Sequence, residues 1–166
     1  MKIGVFAGSF DPITKGHFDV IKKSLRIADK VIVAVINNSN KKCWFSLEER
    51  KSMIKMLVDQ FGDKVEVKCF NGLLIDFMKE NNADIIIRGL RAVSDFEYDI
   101  GYAFVNHDLS MGEVETIFIP AAREYMYLSS SGVREAASAG ARLDIFVDDK
   151  LIDIVKKKAD SFKIKG

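Results

Sequence analysis

Five short apolar runs punctuate the chain, at positions 3–7, 31–36, 65–69, 84–87 and 115–119. Each is rich in Val, Ile or Phe and too short for a helix. Their hydrophobicity is continuous rather than alternating, the pattern of strands covered on both faces of a parallel sheet. Longer amphipathic stretches separate them. Positions 16–26 carry Phe18, Ile21 and Leu25 at helical spacing. Ser46, followed three residues later by Glu49, forms a capping box that opens the next helix. Leu47, Ile54, Leu57 and Val58 line its buried face. Positions 73–80 and 95–109 read the same way, and 129–139 with 143–159 predict a helical C-terminal part. The order βαβαβαβαβα predicts an α/β fold with a doubly wound, five-stranded parallel sheet.

The 166 residues fit one domain and can bury a real core. Gly and Pro are scattered, and no repeat or low-complexity tract breaks the chain, so residues 1–166 are expected to form a single domain. The 25 basic and 24 acidic residues leave a net charge of +1. There is no global basic field to argue for a nucleic-acid partner, although a local phosphate pocket is compatible with that balance. Cys43 and Cys69 make no CxxC pair, which argues against a disulfide framework or structural zinc. His107 has no Cys or His nearby and reads as structural. The N-terminus has no apolar leader with a cleavage site, and no stretch approaches the ~18 apolar residues of a membrane span. A cytoplasmic protein without membrane association is expected. The Lys156-Lys157-Lys158 run reads as a solvated helix end that complements the helix dipole.

Ligands of doubly wound sheets bind beyond the C-terminal ends of the strands, so the segments that follow strands carry the candidate chemistry. Gly8-Ser9-Phe10-Asp11-Pro12-Ile13-Thr14-Lys15-Gly16-His17 follows the first strand. Gly8 permits close backbone approach, and Asp11-Pro12 makes a rigid turn. Thr14, Gly16 and His17 sit at a helix start that favours phosphate, with His17 directed into that site. The segment matches neither GxGxxG nor GxxxxGK[ST], and by itself it also reads as an ordinary strand–helix turn with a surface histidine. Asn40-Lys41-Lys42-Cys43-Trp44-Phe45 follows the second strand. Its lysines can neutralise phosphate or simply be solvated, while Trp44 and Phe45 read as packing residues. Arg88-Gly89-Leu90-Arg91 follows the fourth strand as a sharply turning loop. Its arginine forks suit phosphate, yet Asp95, Glu97 and Asp99 could pair with them instead. Ser129-Ser130-Ser131 opens a helix after the fifth strand, as a bare cap or as an anion-ready helix start.

Thr-x-Gly-His with the Ser-Ser-Ser helix start resembles the nucleotidylyltransferase superfamily, and the expected sheet its Rossmann-like fold. The four segments together resemble the bacterial phosphopantetheine adenylyltransferases from Lys2 to about Val147, and the Arg88–Tyr98 block is specific to that family. The resemblance implies adenylyl transfer from ATP to 4′-phosphopantetheine. The products are dephospho-CoA and pyrophosphate, in the penultimate step of coenzyme A synthesis, with Mg²⁺. It implies that His17 stabilises the transition state with Lys41 and Arg91. It assigns ATP to Ser9, Phe10, His17, Gly89, Leu90, Arg91, Asp99 and the stretch Tyr125, Met126, Tyr127, Leu128, Ser129, Ser130 and Ser131. It assigns phosphopantetheine to Ser9, Lys41, Leu74 and Arg88. It also implies a homohexamer, with dephospho-CoA or CoA as product or feedback ligand. Three positions depart from the family pattern: Asp99 where some members have Glu, Cys43-Trp44 for a Pro-plus-apolar pair, and no proline after Val147. An acceptor that is already a phosphate is an ionised nucleophile, so no general base is required. Two alternatives stay open: a different phosphorylated acceptor, such as glycerol phosphate or nicotinamide mononucleotide, and a non-catalytic nucleotide or coenzyme sensor.

Overall fold

The computed structural model describes residues 1–36 and 42–163. Strand β1 (Ile3–Gly8) leads into helix α1 (Lys15–Ser24), and β2 (Lys30–Ile36) into α2 (Leu47–Val58). Strand β3 (Val65–Phe70) leads into α3 (Leu74–Glu80), and β4 (Ile85–Leu90) into α4 (Val93–Leu109). Strand β5 (Glu115–Pro120) precedes α5 (Ser130–Ser138) and α6 (Asp149–Lys163). Two short helical turns kinked at Gly62, over Asp59–Lys64, join α2 to β3, and one such turn, Arg123–Tyr125, lies between β5 and α5. All strands are parallel, in the order β3-β2-β1-β4-β5. This is the doubly wound α/β sheet that the hydrophobic pattern predicts.

Alternation of side chains along each strand divides the core into two layers. Val31, Val33 and Val35 of β2 meet residues of α1, α2, α5 and α6 on one face. Ile32 and Ala34 meet Ile75, Phe77 and Met78 of α3 on the other. Central strands covered on both sides need no polar side chain, which is why β1 and β2 read as continuous apolar runs. The edge strands differ from that expectation. In β3 the buried Val65 and Val67 alternate with Glu66 and Lys68, and Glu66 bridges Lys30 at 2.7 Å and Lys68 at 3.1 Å. In β5 only Ile119 is buried.

Three local expectations are corrected. Arg88, Gly89 and Leu90 do not form a loop: they extend β4, in register with Phe118, Ile119 and Pro120 of β5. Backbone pairing continues past the apolar run because it does not depend on apolar side chains. Residues 143–159 are not one helix, since α6 begins only at Asp149. Leu143 and Val147 are fully buried, so their four-residue spacing mimics a helix. The carbonyl of Phe146 is instead engaged by the Lys15 amide at 2.9 Å. Lys158 is not simply solvated: it bridges Glu49 at 3.1 Å and lies over the Phe45 ring, joining α6 to α2. Lys156 and Lys157 are exposed, as expected.

From β1 the chain moves outward to β2 and β3, then returns to place β4 on the other side of β1. This reversal opens a crevice at the C-terminal ends of β1 and β4, the position that doubly wound sheets use for ligands.

Candidate active site

A cleft of about 840 Å³ occupies that crevice. It brings together Ser9, Phe10 and His17 after β1, Leu74 at the start of α3, and Arg88, Gly89, Arg91 and Asp99 from β4 and α4. Tyr125, Leu128, Ser129, Ser130 and Ser131 complete the wall after β5. Leu90, Met126 and Tyr127 do not line it, and the last two residues are 51% and 63% exposed. Lys41 lies outside the described residues. A smaller hollow of about 500 Å³ beside β3 shares no lining residue with the cleft. Its Lys68 is already engaged by Glu66 and Asn81.

The loop after β1 is held in an unusual form. Phe10 has φ 48°, a left-handed backbone that a bulky residue adopts only where packing dictates it. Its buried ring meets Phe6 edge-on at 5.3 Å and His17 edge-on at 5.2 Å. Thr14 caps α1 by accepting the His17 amide at 3.3 Å. The imidazole returns the contact, because its Nδ1 accepts the Thr14 backbone N–H at 3.1 Å. This is a capping box with histidine in the place usually held by Glu. An accepting Nδ1 assigns the proton of the neutral ring to Nε2. Loss of water around the ring, and then the charge of Arg91, lower the His17 pKa from 6.5 to about 4. At neutral pH His17 is thus an uncharged hydrogen-bond donor.

Both arginines stand at the cleft with carboxylate partners. Arg88 Nη2 donates to Asp99 Oδ1 at 2.6 Å, and the Asp99 side chain is only 7% exposed. Arg91 forks onto Asp95 at 3.2 and 3.3 Å and donates to the Leu128 carbonyl at 3.0 Å. That bond ties the end of β4 to the segment entering α5. Asp95 and Asp99 are therefore partners of the arginines, whereas Glu97 is exposed and pairs with neither, and both arginines remain at the cleft. Hydrogen bonds from Arg91 hold the Asp95 carboxyl below its usual range, against the opposing effect of partial burial.

At the start of α5, Ser129 accepts the Gly132 amide at 3.0 Å. The hydroxyl of Ser130 donates to the Pro12 carbonyl at 2.8 Å, and that of Ser131 accepts from Arg134 at 3.2 Å. Ser130 and Ser131 begin the helix, so their N–H groups have no intrahelical acceptor and suit an anion.

Sequence reading missed three residues behind these walls. Asp11, read only as a turn former, is 3% exposed and accepts the Trp44 and Phe45 amides, both at 2.9 Å. Arg134 donates to the Asp11 carbonyl at 2.5 Å. Arg50, also 3% exposed, donates to the carbonyls of Ser9 at 2.8 Å and Ile36 at 3.0 Å. A signal for Arg50 existed: it interrupts the apolar stripe of α2, where a buried charge needs partners. Asp19 and Lys23 of α1 similarly hold the end of β5 and the backbone that follows it, through the Ala122 amide at 3.3 Å and the Pro120 carbonyl at 2.9 Å.

The chain matches the cytidylyltransferase-like family over residues 5–136. It is 48% identical over 163 residues to the phosphopantetheine adenylyltransferase of Fusobacterium nucleatum, covering 98% of this chain and 99% of the relative. It is 46% identical over 166 residues to that of Clostridium perfringens, covering all of both chains. The chain belongs to the phosphopantetheine adenylyltransferases. A phosphopantetheine adenylyltransferase is a nucleotidyltransferase of coenzyme A biosynthesis, in agreement with the resemblance carried by the four segments. Solved structures give the same fold at lower identity. A bifunctional NMN adenylyltransferase/ADP ribose pyrophosphatase from Francisella tularensis, complexed with AMP and Mn ion, superposes with TM-score 0.70 at 21% identity. It covers 96% of this chain, which spans about half (49%) of that protein. A putative nicotinate-nucleotide adenylyltransferase from Vibrio parahaemolyticus superposes with TM-score 0.68 at 17% identity, covering 96% of this chain and 94% of that one.

Proposed function

We propose that the cleft transfers the adenylyl group of ATP to the phosphate of 4′-phosphopantetheine, giving dephospho-CoA and pyrophosphate. The observation that carries this reading is the convergence of an uncharged donor, His17, two arginines and the start of α5 on one crevice. Such a site can align two anions, and it needs no nucleophilic side chain. An oxygen of the acceptor phosphate forms the new bond to the α-phosphorus. The bond from that phosphorus to the bridging oxygen breaks, and pyrophosphate leaves with the electron pair. His17 Nε2–H donates to an α-phosphate oxygen as charge builds. Arg91, the backbone after Arg88, and the amides of Ser130 and Ser131 hold the triphosphate. Arg88, Leu74 and Ser9 hold the acceptor, with Lys41 joining them from outside the described residues.

Mg²⁺ belongs to the same proposal as a companion of ATP. Among the described residues no group of three or more His, Cys, Asp or Glu could hold a metal ion. Asp95 and Asp99 at the cleft are already paired with arginines. The residues therefore suit an ion carried in on phosphate oxygens rather than a protein cage, and its chemistry is to neutralise those oxygens. Self-association into a homohexamer is proposed from α4. Asp99 is its one buried residue, while Val93, Phe96 and Phe104 are exposed outside the cleft and Tyr98, Tyr102, Val105 and Leu109 are exposed along its wall. An apolar surface of this extent suits cover by another copy. No helix among the described residues is long and apolar enough to cross a membrane. Cys43 and Cys69 are free thiols, which fits the cytoplasm. Dephospho-CoA or CoA is proposed to occupy the same cleft as product or feedback ligand.

Pyrophosphate release from ATP and Mg²⁺ tests the reaction, with 4′-phosphopantetheine and with dephosphorylated pantetheine as acceptors. Release is expected only with the phosphorylated acceptor. Equal release with neither or with both would remove the acceptor assignment.

A further inference from the structure

Asp11 gathers bonds from two separate parts of the chain. Its Oδ1 accepts the Phe45 amide, and its Oδ2 accepts the Trp44 amide and, at 3.3 Å, Arg134 Nη1. The same Arg134 nitrogen donates to the Asp11 carbonyl, while Nη2 donates to Ser131. Ser130 closes the ring of contacts through the Pro12 carbonyl. The loop that ends in Thr14 and His17 is thus bound to the first turn of α5, with the segment entering α2 braced behind it. The Asp11 side chain is 5% exposed and that of Arg134 26% exposed. Asp11 therefore acts on the loops and not on substrate.

We propose that Asp11 is a positioning residue that, with Arg134, fixes the spacing between His17 and the start of α5 and so aligns the phosphates for transfer. The proposal rests on the roles given above to His17 and to Ser130 and Ser131. One wall carries the donor assigned to the α-phosphate and the other the amides assigned to the triphosphate, so their spacing sets how the reacting groups meet. A change in their spacing leaves each substrate's own contacts in place but misaligns the attacking oxygen. Misplacement by about 1 Å can cost on the order of 100-fold in rate. The loss therefore falls on kcat; a lower folded fraction would do the same, so the folded fraction is measured beside it and the double variant shows whether the two residues act as one unit.

The test is steady-state pyrophosphate release from ATP, Mg²⁺ and 4′-phosphopantetheine. The proteins are the wild type, Asp11→Asn, Arg134→Gln, the double variant and His17→Ala, each checked for folding by near-UV circular dichroism at the assay temperature. Each single clamp variant should lose about 10- to 100-fold in kcat with both KM values within about twofold of wild type. The double variant should be no slower than the slower single, because the two residues act as one unit. Arg134→Gln leaves the bonds from Asp11 to the α2 segment intact, so it carries the test if Asp11→Asn does not fold. A kcat within about twofold of wild type, a loss confined to KM, or losses that multiply in the double variant would overturn the proposal. Loss in His17→Ala with full kcat in both clamp variants overturns the clamp alone. Full kcat in His17→Ala as well overturns the roles assigned to the site.

Discussion

The Thr14 backbone N–H donates to His17 Nδ1 at 3.1 Å, so one hydrogen bond both caps α1 and sets the tautomer of the cleft histidine. Local helix chemistry and site chemistry are the same contact here. The residue three positions after an N-cap normally reaches back to satisfy a free amide. With histidine there, the ring edge left over carries a proton and lines the cleft.

That arrangement makes His17 a donor to charge that develops in the transition state. His17→Ala should lower kcat by about 100- to 1,000-fold, the range for removing one such donor, with a smaller change in the KM for ATP. Single-turnover pyrophosphate release would measure it. Unchanged turnover in the folded variant would take His17 out of the mechanism.

The depressed pKa of His17 also has a signature in stability. The unfolded ring takes a proton near pH 6.5 and the folded one only near pH 4, so between these values the unfolded chain binds the extra proton. Stability from this group is complete above pH 6.5 and declines as pH falls towards 4, by roughly 3 kcal/mol in all. The lowered carboxyls of Glu49, Glu66, Asp95 and Asp144 act with the same sign but at lower pH. Their contribution is present above their ordinary pKa values and is lost at lower pH, through the depressed ones. Urea unfolding of wild type and His17→Asn between pH 7 and 5 separates the two. The slope against pH should flatten in the variant, and parallel curves would show that the fold does not hold His17 uncharged.

Much of this site was legible in the sequence because strand ends announce themselves. The apolar run of β1 stops where the segment leading to Thr14 begins, and Ser129 caps α5 as serines before a helix do. The β4 boundary was not legible, because Arg88 and Gly89 pair with β5 through backbone groups that carry no sequence signal. Asp11 and Arg134 lie 123 residues apart in the chain, and nothing local marks either as a partner of the other. Lys158 likewise finds Glu49 across 109 residues, so a lysine run at a helix end reads as solvated until the fold is known.

Gly89 illustrates a second kind of constraint that lies outside local pattern. A β-carbon there would come within 2.9 Å of Val20 Cγ2, closer than real contacts allow. Val20 is β-branched and lies on the buried face of α1, so it cannot swing aside. Gly89→Ala should therefore destabilise the fold by about 1–3 kcal/mol, the range for overpacking, and push α1 and its His17 away from β4. Gly89→Ala combined with Val20→Ala should recover part of the loss in thermal unfolding. Absence of any recovery would show that the strain comes from elsewhere.

Arg88 and Asp99 allow binding to be separated from stability. Arg88→Gln removes the fork assigned to the acceptor phosphate. The KM for 4′-phosphopantetheine should rise by about 10-fold or more, equivalent to roughly 1.4 kcal/mol, with the KM for ATP nearly unchanged. The same change strands the Asp99 carboxylate, which is 7% exposed and has Arg88 as its ion-pair partner at 2.6 Å. An unpaired buried charge is destabilising, so the melting temperature should fall as well. Asp99→Asn added to Arg88→Gln removes the stranded charge and should restore most of the melting temperature while leaving the acceptor KM high. If stability and acceptor affinity instead recover together, Arg88 serves the fold, and its place at the cleft is not where the acceptor phosphate binds.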